Sequence, residues 1–147
     1  VNEELKEHTA KVFGYLAAGK LRQFLSWCAD DMYIVSRGSF PEPTSLTKRD
    51  IPDWYGSLQA MSPTSLNTTT EVARASSDAA MVFLRHSFSR NGVDFLLEMI
   101  NLVTFREDGR IITWSSYPLD IPEYARARRT HDLSTFTSGL TSGLASV

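Results

Sequence analysis

The sequence holds one cysteine, Cys28, among 147 residues. An internal disulfide needs two cysteines and a Cys-based zinc cluster needs more, so both are excluded. No apolar run nears the roughly 20 residues that a membrane-spanning helix requires. No block of like charge stands out, and the net charge is −2. A phosphate-tracking surface needs clustered Lys and Arg, so nucleic acid is not an expected partner. The densest basic run, Arg126, Arg128 and Arg129, reads as a solvated helix end. His8, His86 and His131 lack ligand spacing, so no metal site is expected. Neither a phosphate-cradling glycine loop nor a dinucleotide fingerprint occurs, and no cofactor is expected. No leader pattern is seen, although Val1 is not a natural start. A cytoplasmic protein is the default expectation.

What is present is enough apolar residue, 42% against 22% charged, to bury one core. One domain is expected over residues 1–130, with the Ser/Thr/Gly-rich 131–147 as a mobile tail. "ELKEHTAKVFGYLAAG" has helical spacing, with Leu5, His8 or Thr9, Val12, Phe13 and Leu16 on one stripe. Gly19 caps it. "KLRQFLSWCADD" predicts a second helix with Leu21, Phe24, Leu25 and Cys28 inward. Cys28 then reads as a small core residue rather than a nucleophile. "MYIVSRG" predicts a short strand and "SFPEPTSL" a loop. "TKRDIPDWYGSLQAM" predicts a third helix, opened by a Thr47–Asp50 capping box with Pro52 in its first turn.

After Pro63 the pattern turns to strands joined by Ser-Asp, Asn-Gly and Glu-Asp-Gly turns, which are antiparallel hairpin connections. "IPEYARARRTHDL" predicts a closing helix. Helices first and strands afterwards give an α+β fold. The expected architecture is a cone-shaped, curved, mostly antiparallel sheet packed on three N-terminal helices. A pocket forms readily in the mouth of such a cone.

The Asn91-Gly92 turn sets the register. A two-residue type I′ turn pairs Arg90 with Val93. Counting outward puts Phe88 opposite Phe95, His86 opposite Leu97, Leu84 opposite Met99 and Val82 opposite Asn101. These residues share one apolar face on which only His86 and Asn101 are polar. The other face pairs Arg85 with Glu98, which reads as an ion pair and removes Glu98 as a catalytic base. Met81, Phe83, Ile100 and Leu102 lie beside that pair. An apolar outer face of this kind suggests a twofold subunit interface.

"YLAAGKLRQFLSWCADDMYIV", "DIPDWYGSL", the hairpin around "NG" and "NLVTFREDGRIITW", in this order and spacing, resemble the NTF2-like superfamily. The similarity is to its SnoaL-like and ketosteroid-isomerase-like members and covers about residues 5–120. It implies the cone fold, dimerisation through the back of the sheet, and a small-molecule site inside the cone. Against the ketosteroid isomerases, Ser36 falls where the proton-shuttling Asp is expected. Val12 falls at the oxyanion-hole Tyr and Asn101 at the protonated Asp. That mechanism is therefore disfavoured, since a Ser without an activating base does not take a carbon-bound proton. Against related epoxide hydrolases, Ser115 and Ser116 replace expected charged residues, and Asp120 lies beyond Pro118 near the rim.

The site expected from residues and resemblance together has His86 moving a proton and Asn101 polarising a carbonyl or hydroxyl. Trp54, Tyr55, Trp114, Met99, Phe88 and Ser116 would line the pocket. Tyr15, His8, Tyr33 and Arg37 would stand near it, with Asp53 at the mouth. Aromatic walls suit a flat, apolar, oxygenated ligand such as a polyketide, terpenoid or steroid. The resemblance implies a cofactor-independent isomerase, cyclase or dehydratase. The alternatives are a non-catalytic ligand-binding or dimeric interaction domain, and an epoxide hydrolase with Asp53 or Asp120 turned inward.

Overall fold

A computed structural model describes residues 2–37, 44–61, 64–120 and Arg126. The first helix, α1, spans Glu3–Ala17. Asn2 caps it, its side chain accepting from the Leu5 N–H at 3.0 Å. Gly19, at φ +74°, ends it. There the Lys20 N–H reaches the Tyr15 carbonyl and the Gly19 N–H reaches that of Leu16, a Schellman closure. Thr9, Val12, Phe13 and Leu16 are buried along one stripe. A short α2, Leu21–Ser26, buries Phe24.

Two expectations fail in the next segment. Cys28 is not in a helix but opens strand β1, Cys28–Ser36. It is buried there, because the chain turns at Trp27 and pairs Cys28 with Ile111. The end of the expected "SFPEPTSL" loop is strand β2, Thr44–Thr47, which runs antiparallel along the free edge of β1. Its pairing is non-local, so a four-residue segment after two prolines carries little local signal for it. Residues 38–43 lie outside the described residues.

The Thr47–Asp50 capping box is present, with the Thr47 N–H donating to Asp50 Oδ2 at 2.8 Å. It opens a 3-10 turn, Lys48–Asp50, that leads into α3, Ile51–Met61. Four strands follow: β3 Asn67–Ser76, β4 Ala79–Arg90, β5 Val93–Phe105 and β6 Ile111–Pro118. They form one curved, unclosed, mixed sheet in the order β2-β1-β6-β5-β4-β3. The pairings are antiparallel except β1 with β6, which is parallel. Register shifts in β1–β6, β3–β4 and β5–β6 mark bulges, which bend a sheet.

The β4–β5 register matches the count from the turn at every pair named above. Asn91 and Gly92 have φ of 55° and 76°, as a type I′ turn demands. Val82, Leu84, His86, Phe88, Phe95, Leu97, Met99, Asn101, Val103 and Phe105 are all buried on the inner face. The eight apolar ones divide between two clusters. The larger joins α1, α2 and most of the sheet, and the smaller gathers Leu58, Phe88, Phe95 and Leu97. On the outer face Arg85 Nε meets Glu98 Oε2 at 3.1 Å. Glu71 adds a second carboxylate to Arg85 at 3.5 Å. The expected closing helix and the tail lie outside the described residues, except for Arg126.

Candidate functional site inside the cone

Strand alternation sends Ile34 and Ser36 inward at the end of β1. The parallel register sets Ser36 beside Ser116 on β6. With Leu46, Trp54, Met99 and Trp114 these residues enclose a cavity of about 20 Å³. That holds one water, which needs about 10–15 Å³. The walls are aromatic, aliphatic and hydroxylic, and none of the lining residues is ionisable. Trp114 sits edge-on to Trp54, Phe13 and Phe24 with ring centroids 5.4–5.8 Å apart. Trp54 also meets Tyr55 at 6.4 Å. The Ser116 hydroxyl donates to the Met99 thioether at 3.9 Å, a weak acceptor.

Asn101 lies next to this wall and is fully buried. Its Oδ1 accepts from the Trp114 indole N–H at 2.7 Å. Its Nδ2 donates to the Val82 and Met99 carbonyls at 3.3 and 3.4 Å. Both ends of the amide are engaged by the protein, which holds Trp114 in the wall. In the ligand-free chain the amide's partners are therefore the protein's own groups, not an open position facing the cavity.

His86 lies where the two apolar clusters meet and is 2% exposed. Its Nδ1 is 2.9 Å from Thr68 Oγ1 on β3. Its Nε2 is buried without a hydrogen-bond partner. Burial pushes the imidazole down to a pKa of about 4, so it is neutral at pH 7. A buried N–H without a partner is rarer than an under-satisfied acceptor. That favours the tautomer in which Nδ1–H donates to Thr68 and Nε2 carries a lone pair. His86 and the small cavity are separated: Met99 lines the cavity, and His86 does not.

Other expected site residues lie elsewhere. Val12 is core, and Tyr15 is half-buried against it. Tyr33 is 52% exposed, because alternation along β1 turns it away from Met32 and Ile34. Arg37 is exposed and is tied to the site only by its backbone N–H, which donates to the Ser116 carbonyl. Phe88 stacks on Phe95 at 5.0 Å. The Arg126 guanidinium lies 4.4 Å over Phe95, so this arginine packs on an inner-face aromatic, and Arg128 and Arg129 lie outside the described residues. His8 is at the other end of β6, in a groove of about 680 Å³ between the start of α1 and the β5–β6 turn. There its Nε2 bonds the Gly109 carbonyl at 2.7 Å and its ring packs on Trp27 and Phe105. It joins a turn to a helix and does not reach the cavity. Asp53 and Asp120 are both exposed. Among the described residues, no group of three His, Cys, Asp or Glu side chains could hold a metal.

The sequence matches no family model, and no curated protein is similar to it. Solved structures do match in three dimensions. A loop-truncation variant of IdmH superposes with a TM-score of 0.68 at 18% identity, over 82% of this chain and 97% of that one. A Xanthomonas campestris protein described as having a cystatin-like fold gives 0.67 at 15% identity, over 82% and 94%. The fold is NTF2-like. An LEH-like epoxide hydrolase from M. tuberculosis shares this NTF2-like cone, with a TM-score of 0.61 at 12% identity over 92% and 97% of the two chains. At these identities the likeness carries the fold and leaves the chemistry to the residues above.

Proposed function

We propose that this NTF2-like chain is a SnoaL-like enzyme acting without a cofactor on an apolar, oxygenated small molecule held inside the cone. The observation that carries this reading is the His86 imidazole. It is neutral, buried, fixed at Nδ1 by Thr68 and unpartnered at Nε2. Such a nitrogen is unprotonated at pH 7 and is placed to take a proton from a carbon or oxygen made acidic by a neighbouring carbonyl. General acid-base catalysis works best with a pKa near the working pH, so negative charge developing on a bound substrate beside the ring must raise its basicity from the ligand-free value. Isomerisation, cyclisation and dehydration each need no more than that. Trp54, Trp114 and Met99 give a flat apolar wall for a polyketide-, terpenoid- or steroid-like skeleton, and Ser36 and Ser116 give hydroxyls for its oxygen.

The test is deuterium exchange. An apolar ketone, 1-tetralone, is incubated with the protein in D2O and its α-deuteration followed by mass spectrometry. The wild type is expected to accelerate exchange, and His86→Gln to lose at least about a hundredfold of that acceleration, in line with the usual contribution of general acid-base catalysis. Equal rates for the two proteins sink the reading.

The small size of the cavity supports a second reading, a ligand-binding or dimeric domain without chemistry. An epoxide hydrolase draws support from a fold neighbour. Among the described residues no carboxylate is buried inside, and Asp53 and Asp120 are exposed. In either case the outer sheet face is proposed as a homodimer interface. Leu96, Leu102 and Tyr117 are exposed there beside half-buried Phe83 and Ile100. Sedimentation velocity of the wild type against Leu102→Lys checks it. No helix among the described residues is long and apolar enough to cross a membrane, and a cytoplasmic location is part of the same proposal.

A further inference from the structure

Two under-used polar groups flank one flexible side chain on the inner face. On one side the Ser116 hydroxyl has the Met99 sulfur as its acceptor, and Ser36 stands beside Ser116. On the other side is the unpartnered His86 Nε2. Met99 pairs with Leu84, and His86 pairs with Leu97. Met99 and His86 are therefore diagonal neighbours on one face, about 7–8 Å apart and within reach of a long side chain. Methionine is unbranched and fills irregular gaps in several rotamers. Its thioether is a poor partner for a hydroxyl, so moving it aside costs Ser116 little.

We propose that Met99 is the gate of a two-point ligand site, with the Ser36–Ser116 hydroxyl pair at one end and the His86 imidazole at the other. The ligand class is a flat fused-ring molecule with an oxygen or an acidic C–H at each end. Ser116 is level with Asn101 and His86 with Leu97, four residues apart along β5. That is about 13 Å along the strand and about 10 Å across the two strand spacings, roughly 16 Å between the two backbones, which inward-pointing side chains on a curved sheet shorten to a ligand roughly 10 Å long. In the ligand-free chain Met99 stands where the middle of such a molecule would lie. This explains how a site of that length coexists with a cavity of about 20 Å³. The inference rests on the reading of the cone interior as the ligand site.

The test uses a two-ended naphthol, 2,6-dihydroxynaphthalene, as probe, with tryptophan quenching for affinity and 15N-histidine NMR for contact with His86. Met99→Ala is expected to bind naphthol at least tenfold more tightly than wild type. Binding is expected to shift the His86 Nε2 resonance, and Ser116→Ala on the Met99→Ala background to weaken affinity again. A folded Met99→Ala that binds no more tightly overturns the gate, as does binding that leaves Nε2 unmoved. If Met99→Ala fails to fold, wild type labelled at the methionine methyls decides. Naphthol must shift the Met99 methyl and His86 Nε2 together, and a shift of neither overturns the gate. The 1-tetralone exchange is scored separately. His86-dependent exchange with a failed naphthol result removes the gate alone, whereas a naphthol response without exchange upholds the gate and removes the catalytic reading.

Discussion

The Trp114 indole N–H donates to Asn101 Oδ1 over 2.7 Å, with both side chains inside the cone. Asn101→Ala leaves that N–H buried without a partner. A buried orphan donor costs about 1–3 kcal/mol. Urea unfolding is expected to show a loss in that range, with the tryptophan emission altered as Trp114 loosens. A loss below about 0.5 kcal/mol means the bond has no structural weight.

His86 makes stability pH-dependent. Its folded pKa of about 4 lies below the ordinary value of 6.5, owing to burial. Between those values the unfolded chain binds more protons, so stability is full above pH 6.5 and falls as pH drops towards 4. The shift corresponds to about 3 kcal/mol at most. Urea midpoints measured from pH 7.5 to 4.5 are expected to fall more steeply for wild type than for His86→Gln. Parallel curves contradict a neutral buried imidazole.

Gly92 holds φ +76° in the turn that sets the β4–β5 register, and a β-carbon there meets nothing within 4 Å. The cost of Gly92→Ala is therefore conformational, about 1–2 kcal/mol. The urea midpoint reads it, and a change near zero means the turn relaxes to another type.

Glu98 pairs with an Arg85 that is itself 40% exposed. Exposed pairs are worth about 0.2–1 kcal/mol. Glu98→Gln is expected to stay within that limit and to leave 1-tetralone exchange unchanged. A large loss of exchange would return Glu98 to the list of catalytic candidates.

Burial pushes the Cys28 thiol up to about 12. Native protein at pH 8 is expected to leave a thiol reagent such as DTNB unreacted until urea unfolds it. Immediate stoichiometric reaction contradicts the core placement.

The hairpin and its two faces were legible because they are local. Asn91-Gly92 favours a type I′ turn because both residues tolerate its positive φ, and a period of two then places every residue from Val82 to Asn101. His86 inward and Glu98 outward both follow from that count. The capping box at Thr47 and the Gly19 cap were legible for the same reason, since each is settled within one turn of helix. What surrounds His86 was not. Counting back from the Ser77-Asp78 turn pairs Ser76 with Ala79 and Arg74 with Met81, and an unbroken ladder would set Thr69 opposite His86. The register shift between Val72 and Arg74 sets Thr68 there instead. A one-residue slip moves a side chain to the other face. The bulge therefore decides which of two neighbouring threonines, Thr68 or Thr69, presents its hydroxyl to the imidazole.

The sequence by itself determined the α+β order, the hairpin register and the apolar face that carries His86 and Asn101. The tertiary structure decided which of those two polar residues is still available. Trp114 comes from a strand beyond the next turn, and its indole engages Asn101. Ser36 comes from β1, which joins the sheet through the parallel pairing with β6. Contacts across strands far apart in sequence depend on how the curved sheet wraps its helices, and no local period encodes that curvature.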